Sequence, residues 1–202
     1  IVGLGRMGMM HAAIFNSLPI SEVTAVVDPA MFPAKPLSML NPKIKVYKSI
    51  DKMLSKQKID GVLIGSPVGY HIDNALECLK NNVPFLMEKP LSVKAKDAEV
   101  LLAELEKKPI TNMIGYMARN IDSFRKGKEI VDAKALGNII NVKGTVYVSQ
   151  LFQKGKGWRY DPKISGGGVL ESQGSHLLDL LYWYFGPVKK VNADILSVYS
   201  PG

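Results

Sequence analysis

Six residues near the start of the chain, Gly3-Leu4-Gly5-Arg6-Met7-Gly8, restrict the fold more than any other stretch. They follow a strand-like Ile1-Val2 and open an amphipathic stretch, so this G-x-G-x-x-G pattern falls at a strand-to-helix turn. Each glycine has its own task there. The first makes the tight turn, the second lets backbone approach a pyrophosphate, and the third lets the helix lie close on the strand. The helix N-terminus then offers free N–H groups and a partial positive charge to the phosphates. Asp28 stands 20 residues beyond Gly8, at the end of the next strand-like run, where a carboxylate can accept from both ribose hydroxyls. Gly3, Gly5, Arg6, Met7, Gly8 and Asp28 are therefore the expected dinucleotide contacts. Asp28 repels a 2′-phosphate, so NAD is expected in preference to NADP.

The next hundred residues agree with this start. Val23–Val27, Gly61–Ile64 and Val83–Met87 read as buried strands, and Thr111–Gly115 as a further one. Ile72, Ala75, Leu76 and Leu79 make one apolar helix face, and a second helix is expected over 94–107 with Val100, Leu101, Ala103 and Leu105 buried. Strands alternating with helices mean βαβ units around a parallel sheet. One stretch breaks the rhythm. Prolines at 29, 33, 36 and 42 leave the crossover helix there broken or very short.

After Gly115 the pattern changes. A polar helix is expected over 119–134, a long alternating strand over 139–151, then a polar loop, Gly166-Gly167-Gly168, a helix to about Phe185 and a last strand from Val191. This predicts an α/β Rossmann-type domain over 1–117 and an α+β domain with a mainly antiparallel, open sheet over 118–202. The first strand reads as cut and the second domain as incomplete.

Composition narrows the class further. The chain has 202 residues, 47% hydrophobic and 22% charged, the balance of a globular protein. Its single cysteine, Cys78, excludes an internal disulfide and a multi-cysteine metal site, so no metal is expected and a reducing cytoplasmic setting fits. No apolar run approaches the roughly 18–20 residues of a membrane span. The net charge of +8 divides as +3 over 1–115 and +5 over 116–202, with no dense basic block, so nucleic acid is not the expected partner.

Two further places carry chemistry. Glu88-Lys89-Pro90 ends a strand, and the carboxyl ends of strands in open α/β sheets face the ligand crevice. In the last helix Ser172, His176 and Asp179 fall at i, i+4 and i+7, one face at 100° per residue, opposite Leu170, Leu177, Leu178 and Leu181. His176 there is either a general base oriented by Asp179 or a core histidine bonded to backbone. Trp158-Arg159 in the polar loop offers a stacking surface and a cation for a sugar. His71 opens a helix, as a cap or as a cofactor contact. His11, inside the first helix, is read as having no part in the site.

Together the glycine loop, Glu88-Lys89-Pro90 and Gly166-Gly167-Gly168 followed by Gly174-x-His176-x-x-Asp179 resemble the Gfo/Idh/MocA oxidoreductases. The resemblance implies a Rossmann domain joined to an open-sheet domain, and oxidation of a sugar or cyclitol with Lys89 and His176 at the reacting carbon. It adds Ser66, Pro67, His71, Glu88 and Lys89 as cofactor contacts and Lys89, Trp158, Arg159, Ser172 and His176 as substrate contacts. A homodimer or homotetramer formed through the C-terminal sheet is implied as well. Two positions depart from the pattern. Many members carry Asp where this chain has Ser172, and Glu171 lies about 100° away on an α-helix. The T-P-N-x-x-H segment of the family reads Ser66-Pro67-Val68-Gly69-Tyr70-His71 here. The leading expectation is an NAD-dependent dehydrogenase acting on a secondary hydroxyl. The alternatives are a redox-neutral NAD-dependent glycosidase and a non-enzymatic NAD-binding regulator.

Overall fold

Val2 occupies the centre of the sheet. It bridges in parallel to Val27 on one side and to Ile64 on the other, in a computed structural model that describes residues 1–30, 39, 41–148, 157–158, 161–194 and 196. Around it run β1 (Ala25–Val27), β2 (Lys45–Tyr47), β3 (Val62–Ile64), β4 (Phe85–Met87) and β5 (Asn112–Ile114). All the pairings are parallel, β1 with β2, β3 with β4 and β4 with β5. Counting the Val2 segment first, the order is 3-2-1-4-5-6, the doubly wound arrangement that binds dinucleotides where the strand order reverses.

β1 and β3 are buried along their whole length, as parallel strands covered on both faces must be. Successive side chains alternate between the faces. Ala25 and Val27 join Val2, Ile64, Phe85 and Met87 in one cluster, whereas Val26 joins Leu4, Ala12, Val23 and Ile44 in the other. The helices are α1 (Arg6–Ser17), α2 (Ile50–Lys56), α3 (His71–Lys80) and α4 (Ala95–Lys107). α3 buries the expected face, with Ala75 and Leu79 in the core and Ile72 and Leu76 packed against it. α4 differs. Leu101 is buried and Leu105 packs on the core, but Val100 and Ala103 face solvent. The proline-rich stretch falls mostly outside the described residues.

The chain divides into two units, one of residues 1–115 with 163–166, the other of 116–162 with 167–202. In the first, Ile164, from the short α6 (Pro162–Ser165), lies against Gly69. In the second, a 3₁₀ turn (Met117–Asn120) leads into α5 (Asp122–Asp132), and a π-helical segment (Leu170–Gly174) leads into α7 (Ser175–Phe185).

The described residues of this unit cover only part of the antiparallel sheet expected there. Among the described residues of this unit no strand forms, and Ile140 and Tyr147 are almost wholly exposed. Alternation fixes which side chains share a face, but a strand also needs a ladder partner. Residues 149–151 and most of the expected last strand lie outside the described residues. The apolar face of the last helix is also rotated. Leu180 is buried, whereas Leu170 and Leu178 are exposed. The π segment, closed by i→i+5 bonds, shifts the phase of Leu170 relative to the helix that follows, whereas Leu178 and Leu180 both lie within α7.

Candidate active site

The glycine loop is built as its sequence requires. Gly3 adopts φ +85°, and a Cβ there would lie 2.6 Å from the Ser66 backbone. A Cβ on Gly8 would lie 1.8 Å from the Gly3 carbonyl oxygen, so α1 can seat against the turn only with glycine there. Gly5 contrasts with both. It is the N-cap of α1, and a Cβ on it would meet nothing within 4 Å. The space in front of Gly5, ahead of a helix start with no acidic residue in its first turn, fits a dinucleotide pyrophosphate held by the N–H groups of Arg6, Met7 and Gly8.

Asp28 follows β1 directly. Its Oδ2 accepts the Leu4 N–H at 2.9 Å and its Oδ1 the Ala30 N–H at 2.9 Å. A carboxylate has about four acceptor sites, so each oxygen keeps capacity for a ribose hydroxyl. Ser66 and Pro67 follow β3 beside the Gly3 turn, and Asn74 Nδ2 donates to Ser66 Oγ at 3.1 Å. Glu88 and Lys89 follow β4, with the Glu88 N–H donating to the Ile64 carbonyl at 2.8 Å. These residues leave the sheet at the carboxyl ends of neighbouring parallel strands, where open α/β sheets hold their ligands.

Two histidines have partners the sequence did not show. His71 is the first residue of α3 and is buried, with Nδ1 2.8 Å from the Pro90 carbonyl and Nε2 2.9 Å from the Ser66 carbonyl. Both ring nitrogens face backbone, so the cofactor contact expected of His71 gives way to a wall that joins the β3 and β4 loops. Desolvation lowers its pKa, opposed by the two carbonyls and the Glu88 charge. His11, read as outside the site, places Nε2 2.6 Å from Glu88 Oε1. The i-to-i+77 separation leaves no local signal for such a contact. Cys78 is buried, with its thiol pushed up to about 12 by desolvation, and is no nucleophile.

The second unit gathers its own group. The Tyr116 and His176 rings meet edge to face, with centroids 6.1 Å apart. Arg119 donates from Nε to Asp179 Oδ2 at 2.8 Å and from Nη2 to Asp179 Oδ1 at 2.5 Å, and its guanidinium lies over the Trp183 ring. The orienting role expected of Asp179 toward His176 thus meets a competing commitment, because Arg119 bonds both oxygens. Tyr116 has a raised pKa, first through burial and then through the Asp179 charge, with Glu171 contributing. Burial also raises the pKa of Glu171, whose side chain folds back over Gly167. Ser172 lies in the π segment, so its relation to His176 is not the expected α-helical i, i+4. Trp158 is half-buried, and Arg159 lies outside the described residues.

Residues 1–116 match the oxidoreductase family with an NAD-binding Rossmann fold, and residues 124–201 match the GFO/IDH/MocA C-terminal domain. The chain belongs to the Gfo/Idh/MocA oxidoreductase family. Among its Gfo/Idh/MocA relatives, the rhizopine catabolism protein MocA of Rhizobium meliloti is 29% identical over 191 residues, 92% of this chain and 56% of that protein. The scyllo-inositol 2-dehydrogenase (NAD(+)) of Bacillus subtilis is 26% identical over 71% of this chain and 42% of its own length. In fold, the chain superposes on the WlbA dehydrogenase from Bordetella pertussis, solved in complex with NADH and UDP-GlcNAcA. The TM-score is 0.80 at 20% identity, over 92% of this chain and 54% of that one. The chain spans about half the length of the curated relatives it matches. No helix among the described residues is long and apolar enough to cross a membrane.

Proposed function

We propose that this chain is the cofactor-binding part of an NAD-dependent dehydrogenase that oxidises a secondary hydroxyl of a sugar, sugar derivative or cyclitol to a ketone. The observation that carries the reading is the position of Lys89 at the carboxyl end of β4, in the row of strand ends that includes the glycine loop and Asp28. NAD supplies the hydride acceptor when bound. His176 takes the hydroxyl proton. Lys89 holds the hydroxyl oxygen and offsets the negative charge that develops there. Asp28 accepts the ribose hydroxyls and disfavours NADP. Relatives named for inositol and sugar substrates support the substrate class.

The test is to incubate the full-length protein with NAD⁺ and a panel of inositols, hexoses and hexose phosphates while following NADH absorbance. NADH should accumulate with at least one polyol. Lys89→Ala and His176→Ala should each lower turnover by roughly 10²–10⁴, and His176→Ala should leave NADH affinity nearly constant. Near-normal turnover in either variant would refute the assigned roles.

A further inference from the structure

We propose that His11 is a positioning residue that fixes Lys89 through the Glu88 carboxylate, tying the dinucleotide helix α1 to the loop after β4. The inference rests on the reading of Lys89 as the group that holds the substrate oxygen.

The Glu88 carboxylate has two oxygens with different duties. Oε1 receives His11 Nε2 at 2.6 Å, and Oε2 receives the backbone N–H of Lys89 at 3.3 Å. An ionised carboxylate only accepts, so His11 must carry its proton on Nε2. The contact is largely enclosed, with the two side chains 20% and 15% exposed, so solvent screens it far less than a surface pair. On the far side of the same tripeptide, the Pro90 carbonyl faces His71 Nδ1 at 2.8 Å. Lys89 is therefore bracketed. One neighbour is held through its side chain by α1, and the other through its backbone by the first residue of α3.

The geometry also links the first two turns of α1. α1 presents its first turn to the pyrophosphate and its second turn, through His11, to Glu88. The helix that holds the cofactor phosphates therefore also sets the backbone from which Lys89 extends. A hydroxyl held by a misdirected ammonium reacts slowly even when everything binds, because productive geometry supplies much of the rate. Glu88 is in this view a mechanical link, and the substrate need never touch it.

The test reads Lys89 directly and needs no substrate. In the full-length protein with NADH bound, amide hydrogen exchange is followed in the peptide spanning 87–92, and competitive acetylation by acetic anhydride compares Lys89 with Lys107. His11→Ala should speed exchange in that peptide by about tenfold or more and change the Lys89-to-Lys107 labelling ratio at least about threefold, while NADH affinity stays within about twofold. His11→Gln, which keeps an N–H donor at similar reach, should restore both readouts. Glu88→Ala should speed exchange in the same peptide and change the Lys89-to-Lys107 labelling ratio as His11→Ala does, from the other end of the link. Unchanged exchange and labelling in His11→Ala would overturn the proposal. So would a His11→Gln variant as perturbed as the alanine, or a loss of NADH affinity in step with the exchange, since either makes His11 a packing residue of α1. A Lys89→Ala enzyme with normal turnover would instead remove the role of Lys89 while leaving these geometric readouts as they are.

Discussion

Arg119 holds Asp179 in a two-pronged grip, Nε to Oδ2 at 2.8 Å and Nη2 to Oδ1 at 2.5 Å, across 60 residues of sequence. The hydrogen bond to Asp179 raises the pKa of the guanidinium, and the same group lies 5.8 Å above the Trp183 ring. The grip anchors the last helix to the 3₁₀ turn that follows the first unit. Asp179 is only 10% exposed whereas Arg119 is 39% exposed, so removing the arginine strands the more buried partner. Solvent access on the arginine side reduces the cost below that of a fully buried pair. Arg119→Ala should destabilise the protein by about 1–3 kcal/mol in urea unfolding. Adding Asp179→Asn should recover part of that loss, because the stranded charge is then gone. Strictly additive losses would mean that the two groups do not interact in solution.

The glycine loop separates folding from binding. Gly8→Ala drives a methyl into the Gly3 carbonyl and should leave little folded protein, as judged by circular dichroism and melting. Gly5→Ala meets no protein atom, and the residue already has φ −65°, which alanine adopts without strain. Its melting temperature should stay near that of the wild type while NADH affinity falls at least about tenfold, because the methyl occupies the space in front of the helix start. Wild-type affinity in a folded Gly5→Ala variant would place the pyrophosphate elsewhere.

These contrasts also explain what the sequence could and could not disclose. Glycine spacing encodes backbone approach, so Gly3, Gly5 and Gly8 were readable, and the buried runs at 25–27, 62–64 and 85–87 announced parallel strands through their β-branched and aromatic residues. β2 carried the same residue types, Val46 and Tyr47, but in too short a run to stand out. Lys45-Val46-Tyr47 follows a proline-rich stretch and lies at a sheet edge, where Val46 and Tyr47 are only half-buried and Lys45 is exposed. Nothing within α1 marks His11 for Glu88, since the contact depends on how α1 seats beside β4. Nor does Leu170-Glu171-Ser172-Gln173-Gly174 advertise a π turn, and the helical phase of everything before His176 depends on it.

His71 should make stability depend on pH. Burial lowers its folded-state pKa below the ordinary value of about 6.5. The unfolded chain therefore binds the proton more readily. The resulting stabilisation is complete above about pH 6.5 and is lost as pH falls through the folded-state value. Urea midpoints of the wild type should decline from neutral pH toward pH 5 more steeply than those of His71→Asn. Parallel slopes in the two proteins would show that the ring is not buried uncharged between the Ser66 and Pro90 carbonyls.

The π segment changes which residues share a helix face with His176. On a regular α-helix Ser172, four residues earlier, would share its face and Glu171 would not. A turn closed by i→i+5 hydrogen bonds holds one residue more, which brings the residue five earlier, Glu171, toward that face. Two observations agree. The Glu171 charge contributes to the raised pKa of Tyr116, and the Tyr116 ring packs edge to face on His176. A nearby carboxylate favours the imidazolium and raises the pKa of the base; removing it does the reverse. Glu171→Gln should therefore shift the acid limb of the kcat/KM profile to lower pH and leave NADH affinity unchanged, while Ser172→Asp should shift the limb upward. The size of the two shifts measures how the turn divides the face between positions 171 and 172. A limb that stays in place in Glu171→Gln but moves in Ser172→Asp would restore the α-helical phase and leave Glu171 a residue of the Gly167 turn alone.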